Sequence, residues 1–143
     1  MPPMTRLRKA DRNDMPRLTD IRMAVTENIL TDPQSVTPAD VIWFLDNAAI
    51  WLLECDGVIR GFAAGDPRDA SVWALFVERG YERRGFGRAL LRRVCDEFVE
   101  KGIGKVWLRT GAATRAYQFY RRDGLIENGV HPTGDVIFRK QLL

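Results

Sequence analysis

The chain is short of the residues that metal and triad chemistry require. It has one histidine, His131, and two cysteines, Cys55 and Cys95, among 143 residues. A lone histidine leaves zinc clusters and Ser-His-Asp triads without enough parts, and two cysteines without ligand spacing make neither a metal site nor a disulfide framework. Both are expected as reduced, largely buried thiols. No apolar run approaches the roughly 20 residues of a membrane span, and the opening MPPMTRLRKADRND lacks the apolar core of a signal peptide. A cytoplasmic protein with no membrane partner is therefore expected. The net charge of +3 is mild, and no basic segment interleaved with aromatics or helix-turn-helix pattern points to nucleic acid. Repeats, linkers and low-complexity stretches are missing too.

What is present is one domain's worth of core, 45% hydrophobic over residues 1–143, organised around the stretch from Trp73 to Phe98. Val72 to Val77 is β-branched and aromatic, as a buried strand should be, while Leu91, Val94, Cys95 and Phe98 recur at the helical period. Between them Gly80, Gly85 and Gly87 allow a tight turn that leads its N–H groups into a helix start. Arg79, Arg83, Arg84, Arg88, Arg92 and Arg93 crowd this stretch against Glu82, a composition suited to a diphosphate. A solvated helix face is the other reading for Arg92 and Arg93, which have Asp96 and Glu97 four residues on. Two phosphate motifs are excluded. Phe86 and Gly87 stand where a Walker A loop needs Lys and Ser or Thr, and Leu90 replaces the third glycine of a dinucleotide fingerprint.

Along the chain, Thr5 to Lys9 alternates as a strand, and Asp11 or Asn13 caps a helix carrying Met15, Leu18, Ile21, Val25 and Ile29. Thr37 restarts the chain as a short helix with Val41, Phe44 and Leu45 inward. Ala49 to Glu54 and Val58 to Ala64 form a hairpin about Asp56-Gly57, and Gly65 to Asp69 turns into the central strand. After the long helix, Lys105 to Arg109 is a strand parallel to the central one, because a helix crossover joins them. A helix bearing Tyr117, Phe119 and Tyr120 ends at Gly124, and Leu125 to Asn128 and Asp135 to Gln141 close the chain as a hairpin around His131.

The stretch Glu82, Arg83, Arg84, Gly85, Phe86, Gly87 resembles the acyl-CoA signature of the GNAT superfamily of N-acetyltransferases: Gln or Arg, two residues, Gly, one residue, then Gly or Ala. Glu82 departs from its first position, and a carboxylate there is expected to point away from a pyrophosphate; the shifted frame Arg84, Gly87, Ala89 also fits the letters. AYQFYRRDGL, Ala116 to Leu125, is similar to the family's second motif. The resemblance covers nearly the whole chain. It implies an α+β fold, a mixed and mostly antiparallel sheet flanked by helices in the order β-α-α-β-β-β-α-β-α-β-β, with splayed central strands.

It further implies acetyl-CoA as cofactor and direct acetyl transfer to a primary amine on a small molecule, peptide or protein. The different-class alternative is a non-catalytic acyl-CoA-binding regulatory module. Carried over by position, Leu75, Phe76 and Val77 bind the pantetheine arm, and Glu82, Arg83, Arg84, Gly85, Phe86, Gly87, Arg88 and Ala89 surround the diphosphate. Ala113 replaces a frequent family asparagine, so that contact to the pantetheine arm is absent or supplied by Thr110 or Thr114, and Tyr117 is a secondary pantetheine or substrate contact. Tyr120 matches the family's general acid; its spacing alone equally suits a core aromatic. The base is Glu27, His131 or a water route, and Trp43, Trp51 and Trp73 wall a pocket or fill the core. Dimerisation is common in that family, but no segment here points to it.

Overall fold

A computed structural model describes residues 4–24, 37–112 and 114–143. Glu27 and Ala113, with Val25 and Ile29 that were expected on the first helix, lie outside the described residues. The strands are β1 (Thr5–Lys9), β2 (Trp51–Cys55), β3 (Val58–Asp66), β4 (Ser71–Val77), β5 (Lys105–Thr110), β6 (Ile126–Val130) and β7 (Val136–Gln141). The helices are α1 (Met15–Ala24), α2 (Pro38–Asn47), α3 (Phe86–Glu100) and α4 (Arg115–Arg122). The expected order of elements and the mixed α+β class are what the structure has. The strands form one sheet in the order β1-β2-β3-β4-β5-β7-β6, antiparallel except for the parallel pair β4 and β5.

Local chemistry explains where the helices start. Thr37 accepts from the Asp40 N–H at 3.1 Å while Asp40 accepts from the Thr37 N–H, a capping box that opens α2 before Pro38. Asp11 makes the same reciprocal cap on the short turn Arg12–Asp14 that leads into α1. Alternation along the strands then sends side chains to two faces. Leu18 and Ile21 of α1 and Phe44 of α2 pack on Leu52, Phe62, Ala64, Ala74 and Phe76. Leu90, Leu91, Val94 and Phe98 of α3 cover the other face, together with Tyr120 of α4. Each such buried side chain contributes roughly 1.5–3 kcal/mol.

One departure from the expected elements shapes the site. β3 continues through Gly65 and Asp66, which were expected in a turn, because a β-bulge lets the strand keep pairing: Ala64 opposes Ala74 and Gly65 opposes Val72. Trp73 is the extra residue, and it joins Ala74 on the α1–α2 face, stacked on Phe44 at 4.0 Å. A bulge bends its strand and increases twist. β4 and β5 share one register pair, Ser71 with Trp107, and part beyond it.

Candidate active site

The parted strands open into a cleft of about 750 Å³. Its floor is the edge of β4 at Leu75, Phe76 and Val77, one wall is the loop 79–88, and the other is the α4 face bearing Arg115, Ala116, Gln118, Phe119, Tyr120 and Arg122. Beyond Ser71 no β5 backbone pairs with this edge, so it offers ladder groups that a bound chain of amides can satisfy.

Gly85 sits at φ +82° just before α3 and brings no side chain to cap it. An uncapped first turn leaves N–H donors and the positive end of the helix dipole facing the cleft. Arg83 holds φ +64°, a left-handed conformation that costs a non-glycine residue roughly 1–2 kcal/mol. Strain of this kind is tolerated where geometry is fixed for a ligand. Among the cations lining the cleft, Arg88 lies 3.4 Å from Asp123 and Arg115 lies 3.9 Å from Glu82. Arg79, Arg83 and Arg122 have no acidic partner among the described residues. The cleft therefore carries uncompensated positive charge on both of its walls.

Glu82 does not point away. It lines the cleft, and its Oε2 accepts the Gly80 N–H at 2.8 Å, so a carboxylate occupies one donor of the loop. Arg84 is not a lining residue; its guanidinium lies over the Tyr81 ring, 4.8 Å from the centroid. Ala89, facing the α3 core, Thr110 and Tyr117 are also absent from the cleft. Thr110 is buried with its hydroxyl 3.4 Å from that of Thr114, which caps α4 by accepting the Tyr117 N–H. Tyr117 packs its ring edge-on against Phe138, with centroids 5.4 Å apart, and donates its hydroxyl to Glu127 of β6 at 2.9 Å.

Tyr120 is 4% exposed, lies edge-on to Phe119 and tilted against Phe138, yet borders the cleft beside Leu75 to Val77. Its hydroxyl makes no hydrogen bond to a described residue, and burial pushes its pKa well above the ordinary 10.0 of a phenol. His131 is engaged elsewhere, with Arg109 and Thr133 at 2.8 and 2.9 Å. Trp43 and Trp73 pack in the α1–α2 core, and Trp51 donates to Glu97 at 2.7 Å on the opposite face. The sequence reading missed Arg115, Gln118, Phe119 and Arg122 as cleft residues. Their spacing of i, i+3, i+4, i+7 was the available signal, since it places them on one helix face.

A mixed sheet parted between parallel strands, above an uncapped helix start rich in arginine, defines an α+β domain built to receive an extended anionic ligand. Residues 15–125 match the Acetyltransferase (GNAT) family, and the chain belongs to that family. It is 35% identical over 48 residues to the [Ribosomal protein bS18]-alanine N-acetyltransferase of Escherichia coli (strain K12), covering 34% of this chain and 32% of that protein. With the Mycothiol acetyltransferase of Beutenbergia cavernae it shares 30% identity over 95 residues, 62% of this chain and 32% of the relative. The matches thus span about a third of each of these relatives. In fold it is similar to the PaiA N-acetyltransferase from Thermoplasma acidophilum in complex with coenzyme A, with a TM-score of 0.77, 16% identity and coverage of 96% of this chain and 99% of that one. Among the described residues no helix is long and apolar enough to cross a membrane.

Proposed function

We propose that this protein is an N-acetyltransferase that carries an acetyl group directly from acetyl-CoA to a primary amine, of a small molecule or of a peptide. The observation that carries this reading is the continuity of one cleft, which runs from the uncapped start of α3 along the free edge of β4 to Tyr120. The first-turn N–H groups of α3, with Arg79, Arg83 and Arg122, suit a diphosphate and a further phosphate. The β4 edge from Leu75 to Val77 suits the amides of the pantetheine arm.

When bound there, acetyl-CoA supplies an activated thioester. The N–H of Leu75 or Phe76 on the open β4 edge would be the donor to the thioester oxygen, where it would stabilise developing negative charge. Tyr120 acts as general acid. Burial keeps its phenol protonated, so it would hand its proton to the departing thiolate only as it recovers one from the new ammonium or from water. The amine's own proton leaves to Glu27 or to water. No enzyme acyl intermediate is required.

The test is calorimetric titration of the protein with acetyl-CoA beside a Gly85→Glu variant, followed by thiol release in the presence of amines. Binding by the natural protein and its loss in the variant are expected, because a carboxylate would then stand at the start of α3. A folded natural protein that binds no acetyl-CoA overturns the reading, and binding without turnover on any amine class favours the regulatory module.

A further inference from the structure

The anion-binding loop is held from behind by charged and aromatic groups that begin on α1. Arg17 of α1 donates through Nε and Nη2 to the Ile59 carbonyl, at 3.1 and 2.7 Å, and through Nη2 to the carboxylate of Glu78. Arg60 of β3 donates to the same Glu78 oxygen at 2.8 Å. The Arg60 guanidinium also lies over the Tyr81 ring at 4.1 Å, where Arg84 lies too. The backbone repeats the link: the Glu78 N–H donates to the Arg60 carbonyl at 2.7 Å, and the Tyr81 N–H to the Glu78 carbonyl at 3.0 Å. Tyr81 itself lines the cleft.

Arg17, Arg60 and Glu78 are only 29, 21 and 22% exposed, so their attraction is less screened than that of a surface pair. Burial pushes the Glu78 carboxyl up, but hydrogen bonds from Arg60 and Arg17 outweigh it and hold the carboxyl below its usual range. Arg60 also keeps its Nε buried without a hydrogen-bond partner, a cost that its contacts with Glu78 and Tyr81 must offset.

We propose that Glu78 is a positioning residue for the cofactor loop: by clamping Arg17 and Arg60 it fixes Tyr81 and the backbone of residues 79–85 in the shape that receives an anion, and it ties that shape to α1. The inference rests on the reading of the cleft as an acetyl-CoA site. Two consequences separate it from simple electrostatics. Removing a negative charge next to a diphosphate site should tighten binding if charge alone matters. Removing a clamp should weaken it.

The experiment titrates acetyl-CoA into the natural protein, Glu78→Gln, Glu78→Asp and Asp14→Asn. Asp14 is bound by Arg8 through two bonds of 3.0 Å at the start of α1, with no link to the loop, and serves as the control for general loss of an ion pair. The dissociation constant is expected to rise about tenfold in Glu78→Gln, to recover in part in Glu78→Asp, and to stay within about twofold in Asp14→Asn. KM for acetyl-CoA carries the loss. Amide hydrogen exchange at Tyr81 is expected to accelerate in Glu78→Gln and not in Asp14→Asn. Unchanged or tighter binding by Glu78→Gln overturns the proposal. If the natural protein binds no acetyl-CoA, the cleft reading fails, and exchange at Tyr81 still decides whether Glu78 holds the loop.

Discussion

The two sides of β4 differ although they belong to one strand. Toward β3 it is paired from Ser71 to Val77, with Gly61 opposite Val77 and Asp66 opposite Ser71. Toward β5 it is paired at Ser71 and nowhere further along. The paired side fixes the strand in the sheet; the unpaired side leaves backbone donors and acceptors at the floor of the cleft. A fold can therefore make a binding edge inside a sheet, without an exposed outer strand, if a bulge turns the strand away from its neighbour.

The largest way to break that contrast is to remove the bulge's anchor. Trp73 stacks on Phe44 with an interplanar angle of 18° and belongs to the α1–α2 core. Trp73→Ala is expected to cost about 3 kcal/mol of stability, measured by urea denaturation, as large-to-small core changes do. Because the bulge then loses its packing, acetyl-CoA binding should weaken by more than a core truncation away from the cleft, such as Leu53→Ala, produces.

On the open side, Tyr120→Phe removes one oxygen from a ring that otherwise keeps its packing against Phe119 and Phe138. A general acid contributes roughly 10²–10⁴ in rate, so kcat is expected to fall at least about a hundredfold with the dissociation constant for acetyl-CoA little changed. Equal turnover by the variant would return Tyr120 to the role of a core aromatic. On the closed side, a Cβ added at Gly65 would lie 2.6 Å from Phe98 Cζ and 2.7 Å from Val94 Cγ1. Gly65→Ala is therefore expected to cost about 2 kcal/mol by overpacking α3 against β3. Thermal denaturation reads it directly.

Most of the fold was legible because its signals are local. Alternation in Thr5–Lys9, the Asp56-Gly57 turn, the capping residue Thr37 and the 3.6-residue rhythm of α3 each act within a few positions of themselves. So was the core of the candidate site, Gly85 to Arg88 with Tyr120, since both segments carry a compact motif. What was not legible depends on distant partners. Trp73 is the bulge residue, and its ring stacks on Phe44 of α2, 29 positions back in the sequence. Glu82 was expected to avoid the anion site on grounds of charge, yet a backbone N–H two residues away attracts it inward. Glu78 carries no local signal, because its partners Arg17 and Arg60 are 61 and 18 residues off in sequence.

Acidification offers a milder probe of the scaffold. The carboxyls of Asp14, Asp66 and Glu78 are all held below their ordinary values. For Asp14 the Arg8 hydrogen bonds are the main cause; for the other two, arginine hydrogen bonds outweigh burial. A group whose folded pKa is depressed contributes stability above its unfolded value and loses it as pH falls through the folded one. The melting temperature is expected to hold from neutrality to about pH 5, then to fall below the ordinary glutamate value of 4.5. Glu78→Gln should flatten that fall, while any loss of loop order persists at neutral pH.

The smallest expected effect tests whether strain or the bulge parts the strands. Ala70 precedes the last shared pair and adopts φ +64°, with its N–H donating to Asp66 and its carbonyl accepting the Trp107 N–H at 3.0 Å. The left-handed conformation costs alanine roughly 1–2 kcal/mol, and glycine relieves it at an entropic cost of about 0.5–1 kcal/mol. Glycine also gives up a buried methyl worth about 0.8 kcal/mol, so Ala70→Gly should leave stability within about 0.5 kcal/mol of the natural protein. If the bulge at Trp73 alone sets the divergence, acetyl-CoA affinity will not change, because relaxing Ala70 leaves the bulge in place. If affinity falls at unchanged stability, the strained residue before β4 helps to hold β5 away, and the open side of the strand is maintained at both of its ends.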